Sequence, residues 1–515
     1  MRKSFASRAG RKPGPAAMLS PVPSPPAPAG AEAGLAGAAF DPGVQTEAGA
    51  GDIAAPAPIG PPGPLRVVVV SHMHPRVSRG GAEIAAYQMY QTLRAMPDVR
   101  AWFVAASGGK VSAPLGAAVF QPFGPDEFVL GDAAYDHWSH SANNGNLAKE
   151  FRLLLTELRP DIIHFHHFAN IGVEALLHIR QVLPNARIIV TLHEFLAICN
   201  HFGQMVKRPS LELCEESSAR SCAKCFPERS ENDFFLRKLY LRRFLDLADH
   251  LIAPSQFLAD RYVDWGFDAA RLSVIENGQP PLLGAPAPMP DPATLTIGFF
   301  GQLSTLKGVG VLLDAAAELR RRPPKRRPVR LEIHGDASNQ PPVLREEIER
   351  RLEASRSVVA FRGTYDNRKV HALMQGCHAV LVPSIWWENS PLVIQEAFAA
   401  RRPVITSDIG GMAEKVRHGV DGFHFQARSG LALADLLRDL AERPERLDAL
   451  QQTLSVPPTL EQTVRATREV YEIGRPAAWA PQHGQPLGGL SADRQQEVKG
   501  VAATPVPARQ RPAGV

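Results

Sequence analysis

Two doubly wound α/β domains facing a cleft, flanked by disordered tails, are the fold class this sequence predicts. Three observations carry it. Short β-branched runs alternate with amphipathic helical stretches through the middle of the chain, the pattern of a parallel sheet covered on both faces. The stretch GQPPLLGAPAPMPDPA, Gly278 to Ala293, divides that alternation in two; it is too rich in Pro for an element interior. Residues 1–64 are mostly Ala, Pro and Gly, and 477–515 look similar. Such segments bury too little apolar surface to offset their ordering entropy.

Each element follows in order. The first series opens abruptly with RVVVVS, Arg66 to Ser71, then a short loop, Gly80-Gly81 and a helical pattern from Ala82 to Leu93. VRAWFVA, DIIHF, ARIIVTL, HLIAPS and LSVIENG read as strands; NLAKEFRLLLTEL, GVEALLHIRQVL and QFLADRYVDWG read as helices between them. The second series runs TLTIGFF, GVGVLLDAAAELRR, VRLEIHG, LREEIERRLEA, SVVAF, NRKVHALMQG and HAVLVPS, then a Glu-containing helix and PVITSD. The expected division is an N-terminal domain over 65–280, a linker over 281–293 and a C-terminal domain over 294–458. A last helix, about 459–475, is expected to pack back on the first domain. In sheets of this kind ligands bind beyond the carboxyl ends of the strands, so two of them face to face make a cleft.

Composition narrows the classes. The chain has 515 residues, 44% hydrophobic and 21% charged, with no apolar run long enough to suggest a membrane span. No apolar segment follows the first basic residues, so no secretory signal is expected. Five cysteines are sparse usage that fits a reducing, cytoplasmic setting. A net charge of +5 permits attraction to phosphate or anionic lipid; no nucleic-acid partner is expected.

The most informative segment is PSIWWENSPLVIQEAFAARRPVIT, Pro383 to Thr406. Ser390 reads as an N-cap and Pro391 as the first helical residue; Arg401, Arg402 and Pro403 close the helix. The loop then delivers Glu388 and Asn389 just ahead of a helix N-terminus, where the free amides of Ser390 to Val393, Leu392 among them, can receive an anion. Glu396 follows about one and a half turns in and needs a hydrogen-bonding partner, for which a vicinal diol supplies two donors. The spacing suits a phosphate between two polyhydroxylated ends: a nucleoside diphosphate sugar. The bland alternative is a solvated loop acid and a glutamate paired with an Arg. Four further features at the expected cleft edge favour the first reading: Lys307-Gly308 after the first strand of the second domain, Gly410-Gly411, Asn277-Gly278 and Gly80-Gly81.

These segments together resemble the family 4 retaining glycosyltransferases of GT-B fold. The resemblance is carried by RGGAE at 79–83, TLHEF at 191–195, APSQF at 253–257, VIENG at 274–278, FFGQLSTLKGV at 299–309, the 382–414 stretch and HGVDGF at 418–423. It implies that Glu388 meets the donor-sugar hydroxyls and Glu396 the ribose. Lys307 and the amides near Ser390 and Leu392 would hold the diphosphate. His193 would approach the donor sugar from the acceptor side, with Gly80 and Gly81 near the phosphates. Glu388, His193 and Lys307 are thus the implied catalytic set. Gln302 stands where many members carry an Arg beside the lysine, and it brings no charge. No D-x-D triplet occurs, so no metal cofactor is expected for catalysis.

The implied activity is transfer of a sugar, with retention, from a nucleotide-diphosphate sugar to a saccharide or lipid-linked acceptor, in cell-surface polysaccharide or glycolipid synthesis. The alternatives are a non-catalytic nucleotide-sugar regulator, or a phosphorylase or nucleotide-sugar epimerase of the same fold. Weaker signals remain. Cys199, Cys214, Cys222 and Cys225, the last two as CAKC, form a candidate structural zinc set, set against four reduced thiols. Arg237, Lys238, Arg242 and Arg243 mark one side of an amphipathic helix from Asn232 to Ala248, either a rest for an anionic membrane or a solvated basic face. The histidines of HMH at 72–74 and HFHH at 164–167 read as polar cleft lining rather than metal ligands.

Overall fold

The computed structural model describes residues 63–473 except 79, 132–133, 143–144 and 282–288. Both expected tails therefore lie outside the described residues, apart from residues 63–64.

The N-terminal sheet is built from β1 (Leu65–Ser71), β2 (Val99–Ala106), β3 (Val119–Gly124) and β4 (Glu127–Leu130); a two-stranded ribbon β5 (Tyr135–Asp136) and β6 (Ser141–Ala142) stands apart; and β7 (Ile162–Phe165), β8 (Arg187–Thr191), β9 (His250–Ala253) and β10 (Leu272–Val274) complete the sheet. Its order is β10-β9-β8-β7-β1-β2-β4-β3. All neighbours are parallel except β3, which returns antiparallel on β4. That edge hairpin is absent from the sequence reading, because Val119–Gly124 is half-exposed and shows no buried apolar run.

β1 explains why its letters are apolar without alternation. Val67, Val68, Val69 and Val70 are all fully buried, as a central parallel strand requires. Val68 and Val70 face a core with Trp102, Val104, Ile163 and Phe165. Val67 and Val69 face the opposite core, with Ala86, Met89 and Leu93 of the helix Gly81–Arg94. The last helix, Leu460–Glu472, joins this second core through Val464, Val470 and Tyr471. It is pinned at its start by Thr463, whose hydroxyl donates to the Glu276 carbonyl at 2.9 Å. Gly278 is needed there, since a Cβ would lie 2.7 Å from the Thr459 carbonyl oxygen.

The C-terminal sheet comprises β11 (Leu295–Phe300), β12 (Val329–His334), β13 (Val359–Gly363), β14 (Ala379–Val382), β15 (Val404–Ser407) and β16 (Gly422–Phe425). Its order is β13-β12-β11-β14-β15-β16, all parallel. The order reverses between β11 and β14, and crevices open at such switch points. In the N-terminal sheet the equivalent reversal lies between β1 and β7. The loops leaving β1, β7 and β8 of one domain and β11 and β14 of the other therefore meet.

Candidate active site

Those loops enclose a cleft of about 390 Å³, lined from one side by His72, Gly81, Glu83, His167, His193 and Glu194, and from the other by Lys307, Ser384, Trp386 and the run Glu388 to Val393.

On the C-terminal side, the helix begins later than its letters suggest. It spans Leu392–Ala399 with Pro391 as an uncapped N-cap residue, so Ser390 is not the cap. The Ser390 hydroxyl instead donates to Glu276 of the other domain at 2.5 Å. Asn389 is likewise occupied: it accepts from Ser255 at 2.5 Å and donates to the His193 carbonyl at 3.2 Å. Both residues thus tie the donor-side loop to the opposite domain. Glu414 strengthens the tie by accepting from the amides of Gln256 and Phe257 at 3.0 and 2.7 Å, and Lys415 pairs with Glu276.

Glu388 is buried. Its Oε1 accepts from Lys307 Nζ at 2.7 Å, Ser384 Oγ at 2.7 Å and Trp386 Nε1 at 2.9 Å. Two residues read from sequence as separate ligand contacts are therefore one ion pair. Lys307 is held above the Trp386 ring, 5.8 Å from its centroid. Glycines shape the loops around this pair. Gly308 has φ +76°, and a Cβ there would sit 1.8 Å from the Pro383 carbonyl oxygen. Gly411 donates to the Glu388 carbonyl at 2.8 Å, and a Cβ on it would fall 1.6 Å from the Asn389 oxygen. The close approach allowed by Gly411 is to the protein's own backbone.

Gln302 is exposed and is absent from the cleft lining. In the loop after Gly301, the Gln302 carbonyl accepts from the Ser304 amide at 3.0 Å. Glu396 stands on the next turn of the helix, apart from the lining near Lys307. It is half-buried; burial pushes its carboxyl up to about 7 against the pull of an Asn367 hydrogen bond.

The N-terminal side is made of helix start and histidines. Gly81 opens the helix Gly81–Arg94 with Gly80 as an uncapped N-cap. A Cβ on Gly81 would lie 3.6 Å from the Leu392 side chain, so the starts of two helices meet at the cleft. The positive dipole ends of both favour an anion there; on the N-terminal side the Glu83 carboxylate already accepts from its own backbone amide. Sequence reading passed over Glu83, which sits in the first turn of this helix and pairs with His72 at 3.3 Å. Burial alone would raise Glu83, but hydrogen bonds, chiefly from His72, hold it below the usual range. The RGGAE motif was its only signal. Glu194 is held by His167 at 2.5 Å. Burial, with His167 and His72 nearby, drives His193 down to about 3, so its ring is neutral. Of the other histidines in these motifs, His74 pairs with Glu127 at 2.9 Å, and His164 and His166 are buried behind the cleft.

The expected zinc set is not assembled: among the described residues no group of three or more His, Cys, Asp or Glu is arranged to hold a metal. Cys214 Sγ lies 3.2 Å from the Glu216 carbonyl and Cys222 Sγ 3.4 Å from Ser217 Oγ. Burial raises Cys199 to about 11 and also raises Cys214 and Cys222, so without a metal these are protonated thiols. Cys225 and Cys199 are half-buried free thiols. The basic stripe is also altered. Arg237 is buried, donating to the carbonyls of Trp138 at 2.8 Å and Ala197 at 3.0 Å. No helix among the described residues is long and apolar enough to cross a membrane.

Two facing doubly wound domains with the cleft between their switch points define the GT-B architecture. A crystal structure of Anabaena Alr3699/HepE in complex with UDP and glucose has the same fold, with a TM-score of 0.55 at 18% identity, covering 79% of this chain and 100% of that one. Residues 79–280 match the profile described as Glycosyltransferase Family 4, and residues 294–443 the one described as Glycosyl transferases group 1. Glycogen synthase of Mycobacterium tuberculosis is 30% identical over 249 residues, 47% of this chain and 58% of that protein. The match thus spans little more than half that relative's length. D-inositol 3-phosphate glycosyltransferase of Corynebacterium urealyticum is 27% identical over 352 residues, 64% of this chain and 74% of that protein. The chain belongs to the family 4, group 1 glycosyltransferases.

Proposed function

We propose that this protein transfers a sugar from a nucleoside diphosphate sugar to a saccharide or lipid-linked acceptor, with retention, in cell-surface polysaccharide or glycolipid synthesis. The observation that carries the reading is the pair of helix N-termini that meet across the cleft beside Lys307 and Glu388. In it, the diphosphate lies between the N-termini with Lys307 as its cation. The donor sugar then reaches Glu388 and His193, and the nucleoside ribose reaches Glu396. A negative charge that grows on the leaving diphosphate is stabilised by groups already in place.

Within the proposed retention, the state of the acceptor-side acids favours front-face attack over a covalent intermediate. Glu83 and Glu194 line the cleft, but each is taken up by a histidine, which leaves neither as an evident nucleophile. Front-face attack, with the leaving phosphate as base, fits this arrangement. For the acceptor, the helix Glu231–Leu245 exposes Phe235, Leu236 and Leu239 with Lys238 and Arg243 beside them. An apolar ridge flanked by cations suits an anionic lipid surface, and with it a lipid-linked acceptor.

A thermal-shift screen of nucleotide sugars tests the donor: at about 100 times its dissociation constant the right one adds about 2.7 kcal/mol of stability. Slow hydrolysis of that donor without acceptor is expected of an enzyme. Binding with no hydrolysis and no transfer to any acceptor would instead support the regulator.

A further inference from the structure

Behind the cleft stands a column of histidines, of which the proposed function uses only the outermost. His193 lines the cleft. Its Nε2 lies 3.0 Å from Nδ1 of His166, and the two rings stack with centroids 5.2 Å apart. His166 is 3% exposed, and no described residue partners its Nε2. The ring of His164 comes next, 4.6 Å further in. Both His164 nitrogens are already engaged, by Tyr471 Oη at 2.8 Å and Thr191 Oγ1 at 2.7 Å.

A neutral imidazole has one N–H and one bare nitrogen, so the contact can be made in two ways. If His193 donates from Nε2, His166 accepts at Nδ1 and must carry its own proton on Nε2. That N–H is then buried without an acceptor. If His166 donates from Nδ1, only a bare lone pair is left at its Nε2. Orphaned buried N–H groups are the rarer and costlier defect. Burial keeps both rings neutral, so an imidazolium does not bypass the choice.

We propose that His166 is a positioning residue that donates from Nδ1 to His193 Nε2 and so fixes His193 as its Nδ1–H tautomer. The nitrogen left for a cleft ligand is then a donor, suited to an oxygen of the sugar or phosphate and unable to serve as a base. The role in turnover rests on the proposed placement of the donor sugar beside His193; the tautomer itself does not.

The test is ¹⁵N NMR of the full-length chain labelled at histidine, without ligand, with the His193 signals identified by their loss in His193→Asn. The expected spectrum shows Nδ1 protonated and Nε2 bare. His166→Asn, whose amide N–H can stand in for Nδ1–H, should keep that tautomer. His166→Phe, which keeps a ring but no donor, should lose it. On the donor chosen by thermal shift, kcat should fall roughly tenfold in His166→Phe, and His166→Asn should recover most of it. A wild-type His193 protonated at Nε2 overturns the proposal, as does an unchanged tautomer in a folded His166→Phe. If that variant does not fold, the wild-type spectrum alone decides. If the tautomer is as stated but His193→Ala leaves turnover intact, the placement of the sugar fails and the tautomer assignment stands.

Discussion

The Lys307–Glu388 pair and the His193–His166 pair, on opposite walls of the cleft, are built on opposite principles. The C-terminal wall keeps its charges: Glu388 is buried yet paired with Lys307 and two further donors, and its loop is fixed where backbone lies against backbone at Gly308 and Gly411. The N-terminal wall suppresses charge at His193 and His166 by burying histidine against histidine. The difference has a physical basis. A group meant to answer a diphosphate keeps its charge, because the charge on the leaving group grows as the reaction proceeds. A group meant to orient a neutral sugar serves better as a fixed dipole with a defined donor. The same buried setting can give either result; what differs is whether a counter-charge is present.

The largest effect that would break this contrast is at Lys307. Lys307→Ala should lower kcat by roughly a hundredfold or more, the scale of one electrostatic stabiliser, with a smaller loss in donor affinity. It also frees Glu388 from its cation, so a fall in both is expected, larger in kcat. Lys307→Arg should recover part of it, since charge survives and geometry changes. Steady-state kinetics with the matched donor decides. A rise in KM alone would reduce Lys307 to a binding residue.

Next in size is the backbone that holds Glu388. Gly411→Ala forces a Cβ toward the Asn389 carbonyl, so the loop must move. We expect about 1–3 kcal/mol of lost stability, read as a lower Tm, together with weakened donor binding. Gly376→Ala is the control: Gly376 is a helix C-cap at φ −71°, and the nearest atom to its Cβ is 3.2 Å away, so its Tm should change much less. Equal losses in both variants would show that the loop tolerates displacement.

The smallest effect sharpens the contrast through pH. The Glu396 carboxyl sits at about 7 in the fold, above its value of about 4.3 in an unfolded chain. The protonated form is the one the fold favours. Its stabilising contribution is complete below the unfolded value and is lost as pH rises through about 7. Glu396→Gln should therefore flatten the fall in Tm between roughly pH 4.5 and 7. Donor affinity should run the other way, since an ionised Glu396 is the better acceptor for the ribose diol. It should strengthen as pH rises through about 7, and calorimetry of Glu396→Gln should show weaker, pH-independent binding. His193, held near 3, should add no inflection between pH 5 and 8. An inflection that persists in Glu396→Gln and vanishes in His193→Asn would undo the contrast between the neutral histidine pair and the Lys307–Glu388 ion pair.

Much of this molecule was written locally. The β1 run of four buried valines, the alternation of strands and helices, and the Pro-rich divide all follow from short-range pattern and burial, so the two sheets were legible. So was the neighbourhood of the site, because Glu388, Lys307 and His193 sit on loops after strands and Gly81 opens the helix that follows β1, and strand order decides where these segments meet. What the letters could not show is which side chain meets which. Ser390 read as a helix cap until Glu276, more than a hundred positions away, took its hydroxyl. Asn389 read as a ligand contact, yet it spans Ser255 and His193. Arg237 read as part of an exposed basic stripe, membrane-facing or solvated, and lies in the interior, bonded to carbonyls of other segments. Four cysteines read as either a zinc set or reduced thiols, and among the described residues they share no metal-holding arrangement. Periodicity and backbone preference act over a few residues, so sequence alone determined most of the buried strands and helices and the cleft edge, but not the half-exposed edge hairpin. Pairing of polar groups depends on the packed arrangement of distant loops, and only the tertiary structure decided it.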